Sequence, residues 1–192
     1  MLASLNPRPP CHQPLERQSD RWSCVCPLLH PWRAGLARRT TTRTLGFRVE
    51  AVQLSEPFDT TNVPSPAELK LYATREQVRA AIAEYLQRRR PLLTSFLQQL
   101  KDLRSALEGC TVFQQHSFIR SSLLFVYDGV QNTTQLRMID LPKVSSAGVD
   151  AQDAPVMLNH RIPWEEGNHE DGYLYGVDNL IDIFDELLAA EI

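Results

Sequence analysis

The spacing of hydrophobic and polar positions changes along the chain, and these changes predict a succession of strands and helices. Over residues 44–54 apolar and polar side chains alternate, which is typical of a half-buried strand. Residues 74–109 instead place apolar side chains every three or four positions, which predicts two helices that pack as a pair. Further along, the pattern predicts strands at 118–127 and 136–140 and a last helix at 171–189.

Local signals set the ends of the paired helices. Thr74 and Gln77 have the spacing of a capping box, in which each side chain satisfies a backbone N–H group of the first turn. Pro91 can open the second helix, and Gly109 ends it. The arginines at 88–90 are placed in the last turn of the first helix, where the helix dipole favours cations; a phosphate-binding patch is the alternative interpretation.

Residues 1–43 differ from the rest of the chain in composition and charge. They are rich in Pro, Arg, Ser and Thr and show no sustained periodicity, so we predict a disordered tail over 1–43 and a domain over 44–192. The tail holds seven arginines and two acids, whereas residues 44–192 hold 13 basic and 21 acidic residues. Prolines in the tail disfavour the amphipathic helix that a mitochondrial presequence requires.

Composition excludes several classes of protein. The net charge of -3 gives no overall attraction to nucleic acid, and no apolar run reaches the roughly 18 residues of a membrane span. The N-terminus lacks the basic start and apolar stretch of a secretory signal, so we expect a cytoplasmic protein, with the nucleus as the alternative. The cysteines match no zinc-binding spacing and are expected to be reduced thiols. They are Cys11, Cys24, Cys26 and Cys110.

The predicted hairpin at 118–140 carries the most informative candidate residue. Its second strand ends in Met138-Ile139-Asp140, which would deliver a carboxylate to the rim of a sheet. Phosphoryl transfer needs such a group, because Mg²⁺ must bridge the phosphate oxygens while a protein carboxylate holds the metal. Taken alone, an aspartate after an apolar strand also fits a residue that caps a turn.

Three further segments, together with residues 138–140, resemble the inositol polyphosphate kinase family in the right order and at plausible spacing. They are TLGFRVE at 44–50, SSLLFVYD at 121–128 and PWEEGNHEDGYL at 163–174. The similarity is greatest to the inositol-trisphosphate 3-kinase branch and covers residues 44–192. The acids of the third segment are interpreted as a structural cap on the last helix, where they offset its positive end.

The resemblance implies an α+β fold, namely the C-terminal lobe of a protein-kinase-like domain, with ATP and Mg²⁺ as cofactors and an inositol phosphate as substrate. It places Asp140 on the metal and Ser122 beside the nucleotide and the metal; a strand hydroxyl bonded to neighbouring backbone is the alternative for Ser122. Lys143 would meet the inositol phosphate, or be a solvated loop lysine. Arg33 follows a tryptophan, as a substrate-binding arginine of the family does, although its spacing to Gly46 differs.

The chain also departs from the family pattern. Leu141-Pro142 stands where the family has Phe-Gly or Phe-Ala after the aspartate, and Gln53 stands where the 3-kinases have a lysine. The family signature, proline and three residues followed by Asp-x-Lys-x-Gly, is absent, because no Asp-x-Lys occurs in the sequence. The only lysines are Lys70, Lys101 and Lys143. We therefore expect the N-terminal lobe of the kinase domain to be missing.

Two functions of different kinds follow. The first is ATP-dependent phosphorylation of an inositol phosphate, impaired in this chain because catalytic groups are absent. The second is a non-catalytic fragment that acts as a binding module, and an unrelated α/β domain is a third alternative. In either of the first two cases we expect self-association, because the sheet around 122–127 and 136–140 would expose apolar area where a second lobe belongs.

Overall fold

A computed structural model describes residues 20–26, 40–54, 63–119, 121–141, 144–149, 152–163 and 170–190. In chain order its elements are β1 (Asp20–Cys26), α1 (Thr42–Leu45), β2 (Arg48–Gln53), α2 (Pro66–Leu69), α3 (Arg75–Tyr85), α4 (Arg90–Glu108), α5 (Thr111–Gln114), β3 (His116–Phe118), β4 (Ser122–Asp128), β5 (Thr133–Ile139), β6 (Val144–Ser146) and α6 (Tyr173–Ala189). The mixture of helices and antiparallel strands agrees with the predicted α+β class.

Four strands form an antiparallel sheet in the order β2-β1-β4-β5. β1 lies between β2 and β4 and pairs with both, with a register irregularity against β2 between Cys24 and Val25. β4 and β5 form a hairpin in which Ser122 is opposite Ile139 and Asp128 is opposite Thr133. β3 and β6 form a separate two-stranded ribbon.

The long helices begin where the sequence predicts. Thr74 Oγ1 accepts from the Gln77 N–H at 3.2 Å, and Gln77 Oε1 accepts from the Thr74 N–H at 3.1 Å, so the capping box at the start of α3 is confirmed. Pro91 lies in the first turn of α4, and Gly109 follows its last residue.

The hydrophobic core lies between one face of the four-stranded sheet and the helices α3, α4 and α6. Phe125 of β4 stacks on Phe184 of α6 with ring centroids 6.0 Å apart, and Phe96 of α4 packs against both rings. Tyr85 Oη donates to the Phe125 carbonyl at 2.9 Å, and Tyr127 Oη donates to the Tyr85 carbonyl at 2.7 Å. These reciprocal bonds fix α3 on β4 with both hydroxyl groups satisfied.

Several predicted boundaries need correction. The tail predicted to be disordered over 1–43 contains β1, and Thr40, Thr41 and Thr42 are buried; residues 1–19 and 27–39 lie outside the described part of the chain. The strand predicted at 44–54 is shorter, because residues 42–45 form a helical turn that ends at Gly46 with φ of 75°. The strand predicted at 118–127 is divided into β3 and β4.

The arginines at 88–90 are also placed differently from the prediction. α3 ends at Tyr85, and Arg89 instead reaches the β4–β5 turn, donating to the Gly129 carbonyl at 2.5 Å and to Asn132 Oδ1 at 2.6 Å. Arg90 starts α4 and donates to the Leu188 carbonyl at 3.2 Å. The carbonyl groups at the end of α6 thus receive a cation from a neighbouring helix. Among the described helices, none is long and apolar enough to cross a membrane.

Candidate functional site

Asp140 lies at the end of β5, where the chain leaves the sheet. Its side chain is exposed, and its backbone has φ of 57°, the left-handed region. Among non-glycine residues Asp and Asn enter this region most readily, because their short side chains can bond locally, and the conformation still costs of order 1 kcal/mol. Strained positions of this kind often mark functional sites. The predicted carboxylate therefore stands at a solvent-accessible turn.

Ser122 is the first residue of β4, and its Cα partner across the hairpin is Ile139. Because the two strands are antiparallel, the start of β4 and the end of β5 meet at the same edge of the sheet. Ser122 and Asp140 are therefore brought to one place by register alone. Ser122 is 3% exposed, so the carboxylate is the group of the two that solvent reaches.

An exposed carboxylate is a ligand of the kind that holds Mg²⁺ in kinases. Mg²⁺ is usually held by one or two carboxylates together with substrate phosphates and water, so a complete protein cage is not required. The described residues contain no cluster of three or more His, Cys, Asp or Glu able to hold a metal. Asp140 would supply the charged ligand and Ser122 a hydroxyl oxygen.

The other two candidate residues lie outside the described part of the chain. These are Lys143, three positions after Asp140, and Arg33. Their assignment to an inositol phosphate stays a prediction. Leu141, which follows Asp140, is 48% exposed. Pro142 lies outside the described residues.

The sheet face opposite the core adjoins this edge and is partly apolar. Leu124 and Val126 are half-buried and lie on that face, because they alternate with the buried Leu123 and Phe125. Ile139 is half-buried on the same face, because it is opposite Ser122, which also alternates with Leu123. Such a surface can receive the flat apolar part of a ligand or another apolar surface.

A second cluster of polar side chains lies buried at the start of α6. The sequence identified its acids but not its histidine. Asp171 is 4% exposed, and its carboxylate accepts from the Phe118 N–H at 2.7 Å and from the Tyr173 N–H at 2.9 Å. His160 Nδ1 lies 2.8 Å from Asp171 Oδ1, and His160 Nε2 lies 2.9 Å from the Phe113 carbonyl oxygen.

Glu170 completes this cluster. Its carboxylate accepts from the Asn159 N–H at 3.1 Å and from the His160 N–H at 2.8 Å. The structural role predicted for these acids agrees with the contacts, since Asp171 bonds the first turn of α6. Trp164 and Asn168 of the same segment lie outside the described residues. His160 carried no sequence signal, because its partners are 11 and 47 positions away along the chain.

Comparison with known proteins decides the family. The family model for inositol polyphosphate kinase matches residues 34–185. The chain belongs to the inositol polyphosphate kinase family. The match begins after β1, which therefore lies outside it, and it includes Ser122, Asp140 and the buried cluster around Asp171.

Curated relatives include several inositol-trisphosphate 3-kinases, which confirms the predicted resemblance to that branch. The chain is 36% identical to inositol-trisphosphate 3-kinase A of Rattus norvegicus over 174 residues, which are 91% of this chain and 35% of the rat protein. It is 37% identical to inositol-trisphosphate 3-kinase C of Mus musculus over 168 residues, 88% of this chain and 23% of the mouse protein. The chain thus spans about a third or less of the length of these relatives.

Solved structures of inositol phosphate multikinases share the fold. The enzyme of S. cerevisiae in complex with ADP and Mn²⁺ aligns with a TM-score of 0.61 and 16% identity over 91% of this chain and 80% of that chain. A second inositol phosphate multikinase structure aligns with a TM-score of 0.63 and 18% identity over 90% of this chain and 82% of that one. The described strands and helices of this chain therefore follow the kinase-like architecture of the family.

Proposed function

We propose that the chain carries the metal-binding and nucleotide-binding edge of an inositol phosphate kinase site, whose reaction is ATP-dependent phosphorylation of an inositol phosphate hydroxyl. The observation that carries this proposal is the β4–β5 register, which brings Ser122 and Asp140 to one edge of the sheet. The family and the inositol-trisphosphate 3-kinase relatives support the reaction, and the neighbour solved with ADP and Mn²⁺ supports a nucleotide and a divalent metal, which we propose to be ATP and Mg²⁺.

In such a site Asp140 would hold the metal from its exposed position after β5, and Ser122 would lie next to it. The bound metal would offset the charge that develops on the phosphate oxygens. The chain's own contribution is to fix the carboxylate at the strand end. Lys143 and Arg33 are proposed to meet the phosphates of an inositol phosphate, and the protein is proposed to act in the cytoplasm, with the nucleus as the alternative.

We further propose that this chain alone is a poor catalyst, because catalytic groups of the family signature have no counterpart in its sequence. The sequence has no Asp-x-Lys, and two of its three lysines serve elsewhere. Lys70 Nζ lies 3.4 Å from Glu50, and Lys101 Nζ lies 3.4 Å from Asp185. Each of these lysines is paired with an acid, and removal of one well-placed electrostatic group typically lowers a rate about 100- to 1000-fold.

A non-catalytic binding module is the second candidate, and one observation favours it. The described residues keep the fold of the family, whereas the sequence contains no Asp-x-Lys. A chain of this kind can keep the family fold without the family signature. Binding of nucleotide or inositol phosphate would then survive better than turnover.

The deciding experiment is conversion of labelled inositol trisphosphate by the purified chain with Mg-ATP. We expect turnover at least about 100-fold below that of an intact family member, and Asp140→Asn should abolish what remains. Asp153→Asn is the matched control, because Asp153 is another exposed aspartate with positive φ, at 60°. Turnover near that of an intact member, abolished by Asp140→Asn alone, would contradict impairment and direct attention to Arg33, Arg38 and Arg39. No turnover together with Mg²⁺-dependent nucleotide binding would favour the binding module.

A further inference from the structure

The segment that follows Asp140 is fastened to a different part of the molecule from the strand that precedes it. β5 is held by β4 in the four-stranded sheet, whereas β6 begins four residues after Asp140 and pairs with β3. The Ala147 N–H donates to the Gln115 carbonyl at 2.9 Å, at the end of α5. Asp140 therefore lies between two supports, which are the four-stranded sheet before it and the β3–β6 ribbon after it.

The β3–β6 ribbon is held in part by one buried carboxylate, that of Asp171. Asp171 holds β3 directly, through the Phe118 N–H, and holds α6 through the Tyr173 N–H. Through His160 it also reaches the Phe113 carbonyl of α5, the helix from which β3 continues. The His160 ring lies against the Phe113 ring with centroids 3.9 Å apart.

Burial makes it difficult for water to replace the hydrogen bonds of the Asp171 carboxylate. Asp171 and His160 are each 1% exposed at the side chain, so water cannot easily take over their bonds. The Leu158 N–H donates to the Gln114 carbonyl at 2.7 Å, and Glu170 holds the backbone of 159–160, so the loop that carries His160 is fixed independently of Asp171. Loss of Asp171 should loosen the β3–β6 ribbon while β4 and β5 stay paired.

We propose that the buried Asp171–His160 pair is a positioning device for Asp140, acting through β3 and β6. The inference rests on the proposed function, since it concerns the accuracy with which a metal-binding carboxylate is held. A ligand group has to be kept within about 0.5 Å of its productive position. β4 supports the chain before Asp140, and the ribbon is the next described support after it, from Val144 onwards.

The test uses the full chain with Asp171→Asn and, as a second variant that leaves the carboxylate in place, His160→Gln. Asp182→Asn is the matched control, because Asp182 is an exposed aspartate on the same helix. Two quantities are measured: hydrogen exchange of the amides of Phe118 and 144–146 relative to those of β4, and the affinity for Mg-ADP. We expect at least about tenfold faster exchange in the ribbon, unchanged protection in β4, and about tenfold weaker binding of Mg-ADP, with the control unchanged.

The outcomes separate the positioning role from the proposed function. If the ribbon opens in both variants and the affinity for Mg-ADP stays at the wild-type value, the positioning role is wrong, whereas the metal site stands. If all amides of His160→Gln lose protection together, the pair is part of the general core and the proposal is overturned. If the wild-type chain does not bind Mg-ADP, the proposed function fails and the positioning role with it, even where the ribbon opens as expected.

Discussion

At the scale of single residues, two glycines allow α1 and α6 to approach each other closely. Gly46 ends α1, and a Cβ atom added there would lie 2.9 Å from the Cα and N atoms of Gly176 in α6. The contact places α1 on α6, where Tyr175 Oη donates to the Thr44 carbonyl at 2.6 Å and Asn179 donates to the Leu45 carbonyl at 3.3 Å. Gly46 is thus required by space and by its φ of 75°, and a Cβ atom at Gly176 would make a tight contact of 3.1 Å with the Gly46 carbonyl oxygen.

Gly46→Ala should therefore destabilise the fold for two reasons, the left-handed backbone and the clash with Gly176. Together these should cost about 2–4 kcal/mol in the free energy of unfolding. Gly148→Ala separates the two effects, because Gly148 has φ of 89° and nothing within 4 Å of the added atom. Denaturant unfolding should show a loss of about 1 kcal/mol for Gly148→Ala. Equal losses in the two variants would show that the close contact is unimportant.

A second residue-scale prediction concerns the capping box at the start of α2. The Ser65 hydroxyl and then the Ser65 N–H, both bonded to the exposed Glu68 carboxylate, hold the pKa of Glu68 below its usual range. A lowered pKa in the folded state means that this interaction stabilises α2 above the unfolded pKa and is lost as the pH falls through the folded pKa.

Ser65→Ala should bring the pKa of Glu68 back up towards its usual range, because the hydroxyl donor is gone. Carboxyl titration followed by NMR measures this directly. Glu76 is the internal control, since its pKa is also lowered, by its own backbone N–H and by Thr74. An unchanged titration of Glu68 in the variant would show that Ser65 is not the cause.

Residue-scale features could be predicted from the sequence only where the partners are close together in the chain. Thr74 and Gln77 are three positions apart, and both capping bonds are present as predicted. Asp140 could be named from the apolar strand before it and from the family resemblance. The His160–Asp171 pair could not be predicted, because the fold brings together a loop, α5 and α6, and no spacing in the sequence indicates that these residues meet.

At the scale of elements, the Gln99 side chain of helix α4 forms hydrogen bonds with the outer edge of strand β5. Gln99 Oε1 accepts from the Leu136 N–H at 2.8 Å, and Gln99 Nε2 donates to Thr134 Oγ1 at 2.6 Å and to the Thr134 carbonyl at 3.4 Å. The amide group thus occupies backbone groups that an additional strand would use. Such cover protects an exposed strand edge from pairing with another chain.

Gln99→Leu should remove this cover and destabilise the fold by about 1 kcal/mol, since the Leu136 N–H loses its partner at a partly buried position. Thermal unfolding and the exchange rate of the Leu136 amide measure the effect. Gln98→Leu is the control on the same helix, because Gln98 is exposed and bonds Asp102 at 2.8 Å. Slow exchange of the Leu136 amide in Gln99→Leu, as in the wild type, would contradict the role of Gln99.

Elements with strong periodicity could be predicted, and those defined by long-range pairing could not. α3, α4 and α6 show apolar stripes along one face, and their predicted and observed positions agree closely. β1 was missed because its seven residues lie among prolines and arginines, where composition indicates disorder. Its place depends on the β2 and β4 edges, which are 22 or more positions further along the chain and supply the hydrogen bonds.

At the scale of the whole molecule, β1 joins two parts of the sheet that do not pair with each other. β2 and β4 both pair with β1. β1 therefore holds β2 and the β4–β5 hairpin in one sheet. This arrangement keeps the hairpin that carries Ser122 and Asp140 in a four-stranded sheet, although the sequence lacks the family signature.

The face of the same sheet opposite the core is partly apolar among the described residues, and this leads to the prediction of self-association. Leu124, Val126 and Ile139 are half-buried on that face, and Leu141 beyond the strand end is 48% exposed. An apolar surface of this kind tends to find a partner, and a second copy is the partner present in a purified sample. We expect light scattering at tens of micromolar to show species larger than the monomer.

Val126→Lys should shift the chain towards the monomer, because a charge on this face must be desolvated when two copies meet. Val112→Lys is the matched control, since Val112 is 61% exposed in α5 and away from the sheet. Circular dichroism should show the same helix content for both variants. A monodisperse wild-type monomer, or equal dissociation by both lysines, would mean that the open sheet face does not drive association. Dissociation by Val126→Lys alone would place the contact on the face next to Ser122 and Asp140, so that association and nucleotide binding should then compete for the same surface.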